Sequence, residues 1–445
     1  MTVSGRFVAI ICLGIVPTVL LGRTIGTASL TVLIWLVFVC LLGLVDLLIA
    51  GSPRAVSIER ALPGRVRLGE SVSSQLYLTN IGSRMLRGRV RDAWQPSAGA
   101  PATRMPVSIP PGERRMLSLT LTPVRRGERT VSRVTIRSFG PLRLWARQAT
   151  LAAPGRIRVL PPFNARKHLP SRLARLRELD GRTSVMIRGQ GTEFDSLREY
   201  VRGDDVRSID WRATARHTDA VSGAGAGSTM MVRTWRPERD RRVVIVIDTS
   251  RTSAARIDNE PRIDTAFESA LLLAALASRA GDRVDLVAYD RRIRGRVQGA
   301  TGAELLSRLV DTMAGIDPEL IEMDWTAVPT QVREITSQRA LVVLLTSIEA
   351  PGASTGLLAV LPQLTRRHSV VVASVTDPGV LRASGMRDDR EQVYLAAAAE
   401  RALLDTARVS AAVRQLGAEV VTGAPADLPP ALSDRYLSLK AAGRL

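Results

Sequence analysis

The chain has 445 residues, 45% of them hydrophobic, and a formal net charge of +20, which gives room for two or three domains. Its two cysteines, Cys12 and Cys40, lie in apolar runs, and His168, His217 and His368 stand far apart in sequence. This pattern argues against a disulfide framework and against a His/Cys zinc site.

The first element is apolar. Phe7–Leu21 is a run of fifteen residues, and Ser29–Ala50 a second run of 22 with Asp46 near its far end. Crossing a bilayer core takes about 20 residues, so the second run qualifies and the first needs Gly22 or local thinning. The reading is two transmembrane helices over residues 1–50. The alternative is a cleaved signal peptide ahead of one anchor. Gly22-Arg23-Thr24 is a poor small-x-small site for that cleavage. Arg6 precedes the first run, Arg54, Arg60, Arg65 and Arg67 follow the second, and the turn carries only Arg23. This bias predicts a multi-pass cell-membrane protein whose soluble domains are cytoplasmic.

Residues 51–160 carry twenty arginines against five acids. The same stretch alternates like strands: Val72, Leu76 and Leu78 share one parity, and Leu117, Leu119 and Leu121 another, with Pro-Gly and Arg-Gly breaks between runs. Short strands with turn punctuation predict a basic β-sandwich-like domain. Beside a membrane hairpin, the charge suits anionic membrane lipid. Nucleic acid is not the expected partner, because no recognition-helix pattern or aromatic-interleaved groove accompanies the arginines.

Residues 161–241 read as a polar connector with a short helix near Ser171–Leu179, the weak anion-loop pattern Gly189-Gln-Gly191, and a dense block over 193–216. That block holds six acids, five arginines and three aromatics in 24 residues. It contains Arg198-Glu199-Tyr200, Gly203-Asp204-Asp205 and Ile209-Asp210-Trp211-Arg212. Its polarity fits a solvated helix face or an ion-pair and aromatic knot, with Asp210 capping or pairing Arg212 or Arg216. The glycine-spaced stretch 221–229 reads as a mobile loop. After it comes the continuous apolar strand Val243–Ile247, ending in Asp248-Thr-Ser250-Arg-Thr252.

Together the block and the strand loop resemble the family of bacterial proteins of unknown function called DUF58. The resemblance implies a von Willebrand factor A-like domain in the C-terminal half and a MoxR-type AAA+ ATPase as partner. It covers residues 160–445 through motifs and the N-terminal third by layout alone.

The pattern of 242–445 alternates independently. Strands are expected at Arg283–Ala288, Ala340–Leu345, Ser369–Val375 and Glu419–Thr422. Helices are expected at Ile263–Ala280, Ala303–Met313, Gly356–Leu364, Arg390–Leu416 and Leu428–Ala441. Apolar strands alternating with helices predict a doubly wound parallel sheet, with ligands at the carboxyl ends of its strands. In A-like domains that place holds a hard-cation site, and the resemblance carries it to Asp248, Ser250 and Thr252, with Thr326 from a second loop. The expected ion is Mg²⁺ or Mn²⁺. A third loop should supply an aspartate, and Thr346-Ser347-Ile348-Glu349 stands there instead. Glu349 as a substitute and a degenerate site are both open, as is the reading that Asp248 and Ser250 only hydrogen-bond their own loop.

As an enzyme the chain offers no P-loop, no Gly-x-Ser-x-Gly elbow, no cysteine nucleophile and no histidine cluster. The expected role is a non-enzymatic, membrane-anchored scaffold or adaptor. Two alternatives stand beside it: a hydrolase using Glu193, Asp195, Asp204 and Asp205, and a nucleic-acid binder using the basic β domain.

Overall fold

The computed structural model describes residues 2–445 apart from 103, 187–192, 202–205, 221–229, 237–240, 259 and 349. The chain is mixed α/β and forms two compact units, Met1–Pro162 and Phe163–Leu445.

The first unit opens with apolar helices, and here the sequence expectation is corrected. Among the described residues one helix, Ile25–Ile49, is long and apolar enough to cross a membrane. The first run does not match it. It breaks into Gly5–Leu13 and Ile15–Leu21, so a multi-pass anchor is not supported. The cause is local. Trp35 Nε1 donates to Ile10 O at 3.0 Å, and the Gly14 amide turns to Ile11 O. A Cβ on Gly14 would lie 2.2 Å from the Trp35 ring, so only glycine admits this approach.

Asp46, buried near the end of the long helix, ties the helices to the β-structure behind them. Its two carboxylate oxygens accept the Leu142 and Leu144 amides, each at 2.8 Å. Phe7 packs against Trp145 with ring centroids 5.4 Å apart.

Two sheets make up the rest of this unit. Val56–Ala61, Val72–Asn80 and Arg114–Leu121 form one. Leu86–Asp92, Met105–Ile109, Gly127–Phe139 and Trp145–Leu160 form most of the other. They share a core in which Leu76 and Leu78 from the first meet Leu86, Val90, Val134 and Ile136 from the second. The alternation of side chains along a strand puts these residues inward and the arginines outward. One charge pair is buried with the core: Arg60 grips Asp92 through both guanidinium ends at 2.7 and 2.8 Å, beneath Trp94.

The second unit is built on a six-stranded sheet. Its spatial order is Ile293–Val297, Arg283–Tyr289, Arg242–Asp248, Leu341–Leu345, Ser369–Val375, Glu419–Gly423. Five strands run parallel. The edge strand Ile293–Val297 is antiparallel, which departs from the all-parallel sheet expected. Val244, Val246, Val342 and Val372 face one core with the helices Val328–Ile335, Thr355–Thr365 and Arg390–Gln415. The alternate residues, such as Ile245 and Val343, are equally buried. The helix Arg262–Arg279 packs on the sheet and against Leu428–Ala441. Glu268 on the first of these is pushed above the usual carboxylate range by burial, although it accepts the Asn164 and Ala165 amides.

Candidate functional site

The parallel register decides what meets at the carboxyl end of the central strand. Ile247 lies level with Leu345, and Asp248 with Tyr289. The next residue on each neighbour is therefore brought beside the Asp248 loop. Thr346 Oγ1 donates to Asp248 Oδ2 at 2.7 Å, and Thr249 Oγ1 donates to Asp290 Oδ2 at 3.0 Å.

Asp248 is buried and satisfied on both oxygens. Oδ1 accepts the Ser250 amide at 2.8 Å, and Oδ2 also accepts Thr252 Oγ1 at 3.2 Å. The Ser250 and Thr252 hydroxyls lie 3.3 Å apart, and Ser253 Oγ donates to the Asp248 carbonyl at 2.6 Å. The loop thus gathers one carboxylate and three hydroxyls on one spot. Arg262 Nη1 reaches the Thr252 carbonyl at 3.4 Å.

Thr326 is engaged by its own loop. Its hydroxyl donates to Asp324 Oδ1 at 2.6 Å, and Asp324 caps the Trp325–Ala327 turn. The Asp324 amide in turn donates to Asp290 O at 2.8 Å. Tyr289 lies among these acids. Its phenol is pushed up first by burial, then by the Asp324 and Asp290 carboxylates. On the rim, Arg292 and Arg294 both pair with Glu319 and hold its carboxyl below the usual range, and Arg251 pairs with Glu322.

The donor set at Asp248 is all oxygen, of the kind Mg²⁺ or Mn²⁺ takes. Among the described residues no group of three or more His, Cys, Asp and Glu gathers for a metal. Thr346 is the residue that sequence reasoning missed. The missing aspartate of the third loop points to the nearest acid, Glu349, which lies outside the described residues, and a threonine beside it carries no such signal.

The signature block has its own geometry. Glu193–Glu199 pairs antiparallel with Met231–Arg236, and the Tyr200 amide extends the pairing to Met230 O at 2.7 Å. Asp210 Oδ1 accepts the Arg212 and Ala213 amides at 3.0 and 3.1 Å, which caps the helix Trp211–Ala220. Among the described residues its guanidinium partner is Arg233, at 2.6 Å; the sequence pointed to Arg212, whose amide it caps, or to Arg216. The Ala213 amide, and then Arg233, hold the Asp210 carboxyl below its ordinary value. The Arg198 guanidinium donates to the Glu199 carbonyl at 3.1 Å. Trp211 is 66% exposed, so it presents a surface and does not close a knot. Gly203, Asp204 and Asp205 lie outside the described residues, as do Gly189, Gly191 and the glycine-spaced stretch 221–229. The side chains of Glu193, Asp195 and Arg216 lie outside them too.

Residues 196–384 match the family described as "Protein of unknown function DUF58". An uncharacterized protein of Mycobacterium bovis is 25% identical over 258 residues, covering 56% of this chain and 77% of that protein. Protein NorD of Brucella abortus is 29% identical over 129 residues, 28% of this chain and 20% of NorD. A PapD-like domain of human CEP192 is 14% identical, with a TM-score of 0.19 over 24% of this chain and 84% of that domain. From residue 196 to residue 384, a span that holds most of the signature block and the strand-end loops, the chain is similar to the DUF58 family.

Proposed function

We propose that this protein is a membrane-anchored, non-enzymatic scaffold that holds a protein partner, a cytosolic MoxR-type AAA+ ATPase, through the Asp248 end of the second unit's sheet. In this reading the second unit is an A-like, doubly wound domain and the sheets of the first are a β-sandwich. The long apolar helix is the anchor, with the soluble parts on the cytoplasmic side. The observation that carries the reading is the convergence of Asp248, Ser250, Thr252 and Thr346 at the strand ends, with the charged pair Arg251–Glu322 beside them. Similarity to NorD over one segment is consistent with an accessory role.

A cation at this place would be held by Asp248, Ser250 and Thr252, with Thr346 in place of the third-loop aspartate. When bound, Mg²⁺ or Mn²⁺ supplies a Lewis-acid contact for a partner's carboxylate. The chain's own residues orient that contact. Thr346 and the Ser250 amide fix the Asp248 carboxylate, and the Ser253 hydroxyl fixes the Asp248 carbonyl, so the loop does not reorganise when a partner arrives.

The deciding experiment is a pull-down from native membranes with wild type, Asp210→Ala and Asp248→Ala. Recovery of an AAA+ ATPase by wild type, reduced in either folded variant, is the expected result. Recovery of no ATPase, together with a turnover activity of the purified protein that depends on Asp204 or Asp205, would replace the scaffold by the hydrolase alternative.

A further inference from the structure

The outer face of the larger sheet in the first unit gathers arginines around two clefts that no acid lines. Arg89 lies directly opposite Arg137 across the Leu86–Asp92 and Gly127–Phe139 strands, and Arg91 opposite Thr135. Like charges set directly opposite destabilise a sheet, so this pairing works against the fold that carries it. Arg89, Arg91, Arg104 and Arg137 line one cleft of about 180 Å³ over Phe139 and Gln148, and no acid lines it. Among the described residues, Arg89, Arg91 and Arg104 have no acidic partner, and Arg137 has only the Gln148 amide oxygen.

A wider cleft of about 880 Å³ shares Arg89 and Phe139 with the first. It adds Arg6, Arg87 and Arg143 and reaches Ser4 and Gly5 at the start of the apolar helices. Arg143 is held at φ 57°, a left-handed conformation that non-glycine residues seldom adopt, in the loop that Asp46 grips.

One residue past Arg6, Phe7 packs on Trp145. Trp145 closes one end of an apolar cleft of about 350 Å³ along the long helix, lined by Leu36, Val37, Cys40, Leu41 and Leu44. The first unit therefore sets cationic clefts without acid in their lining beside a hydrocarbon surface, with Phe7 and Trp145 at the junction. An anionic amphiphile is complementary to both at once. A nucleic acid is complementary to the arginines alone.

We propose that the arginine clefts and the Trp145 cleft together form a site for an anionic phospholipid, with its phosphate headgroup on Arg89, Arg137 and their neighbours and an acyl chain along the long helix over Val37, Leu41 and Leu44. The inference rests on the membrane reading of Ile25–Ile49. It goes beyond that reading in assigning a specific lipid site to named residues.

The test uses the full chain in nanodiscs of mixed phosphatidylglycerol and phosphatidylcholine, with co-purified lipid counted by native mass spectrometry. Wild type should retain phosphatidylglycerol preferentially. Arg89→Gln/Arg137→Gln should lose roughly ten-fold of that preference, since each surface arginine contributes a modest electrostatic increment. Arg89→Lys/Arg137→Lys should keep most of it. Arg114→Gln/Arg115→Gln, which removes the same charge from the other sheet, should leave it unchanged.

Equal retention of both lipids by wild type would overturn the site. Equal losses in the two glutamine pairs would also overturn it, by reducing the effect to bulk charge. Inorganic phosphate supplies the arm for a soluble ligand. Binding of free phosphate at Arg89 and Arg137 without any lipid preference would assign the clefts to a soluble anion and sink the lipid. Carbonate extraction separates the two readings: release of the chain from membranes overturns both, whereas retention without lipid preference overturns the lipid site alone.

Discussion

The strands Arg242–Asp248 and Leu86–Asp92 are both seven residues long and differ in what they can present. From Val243 on, the first is buried at every position, because helices cover both faces of its sheet. The second alternates, with Leu86 and Val90 inward and Arg87, Arg89 and Arg91 outward. A strand buried on both faces can offer chemistry only at its end, and there Asp248 stands. A strand with one free face can offer it along its length, and there the arginines stand. The two units thus expose polar groups in two different ways, one as a point and one as a field.

The largest test of this contrast lies inside the one-faced unit. Arg60→Met strands the buried Asp92 carboxylate and should cost about 3–5 kcal/mol, while Arg60→Met/Asp92→Leu should recover most of it. Thermal unfolding in detergent measures both. A small loss for the single variant would mean that the inner face is wetter than the parallel sheet.

Ile245→Ala in the two-faced strand should cost about 2–5 kcal/mol, against a change within about 0.5 kcal/mol for Arg89→Ala on the open face. Similar losses from the two would break the comparison.

Thr346→Val keeps the shape of the strand end and removes one donor to Asp248, for about 1–2 kcal/mol. A Thr252→Val change, whose bond to Asp248 is longer at 3.2 Å, should cost less. The reverse order would place the anchor of the carboxylate on its own loop and not on the neighbouring strand.

The smallest effect is a pH slope. The folded-state value of Asp210 is depressed by the Ala213 amide and Arg233. Its contribution is present above the unfolded value and lost as pH falls through the lower folded one. Acid unfolding should therefore be steeper in wild type than in Asp210→Asn below about pH 4. Identical slopes would remove Asp210 from the acid response.

Much of the second unit's sheet was legible because its signal is local. Continuous apolar runs marked Val243–Ile247 and Ser369–Val375, and helical patterns marked elements such as Leu428–Ala441. The edge strand Ile293–Val297 was missed. Its Arg-Gly-Arg centre is half-exposed and reads as loop until it pairs with Arg283–Tyr289. The break at Gly14 was also hidden, since it depends on the Trp35 indole, which belongs to a different helix.

By itself the sequence determined what each segment buries: period and apolarity are properties of neighbours in the chain, and they fix strand, helix and inward face. The likeness to DUF58 over residues 196–384 was legible through the signature block and the strand loop for the same reason. Only the tertiary structure decided which side chains meet. Thr346 reaches Asp248 through parallel register across 98 residues, Arg233 reaches Asp210 across a returning strand, and Arg137 faces Arg89 across a sheet. Such partners are set by pairing between distant segments, and no local pattern encodes that distance.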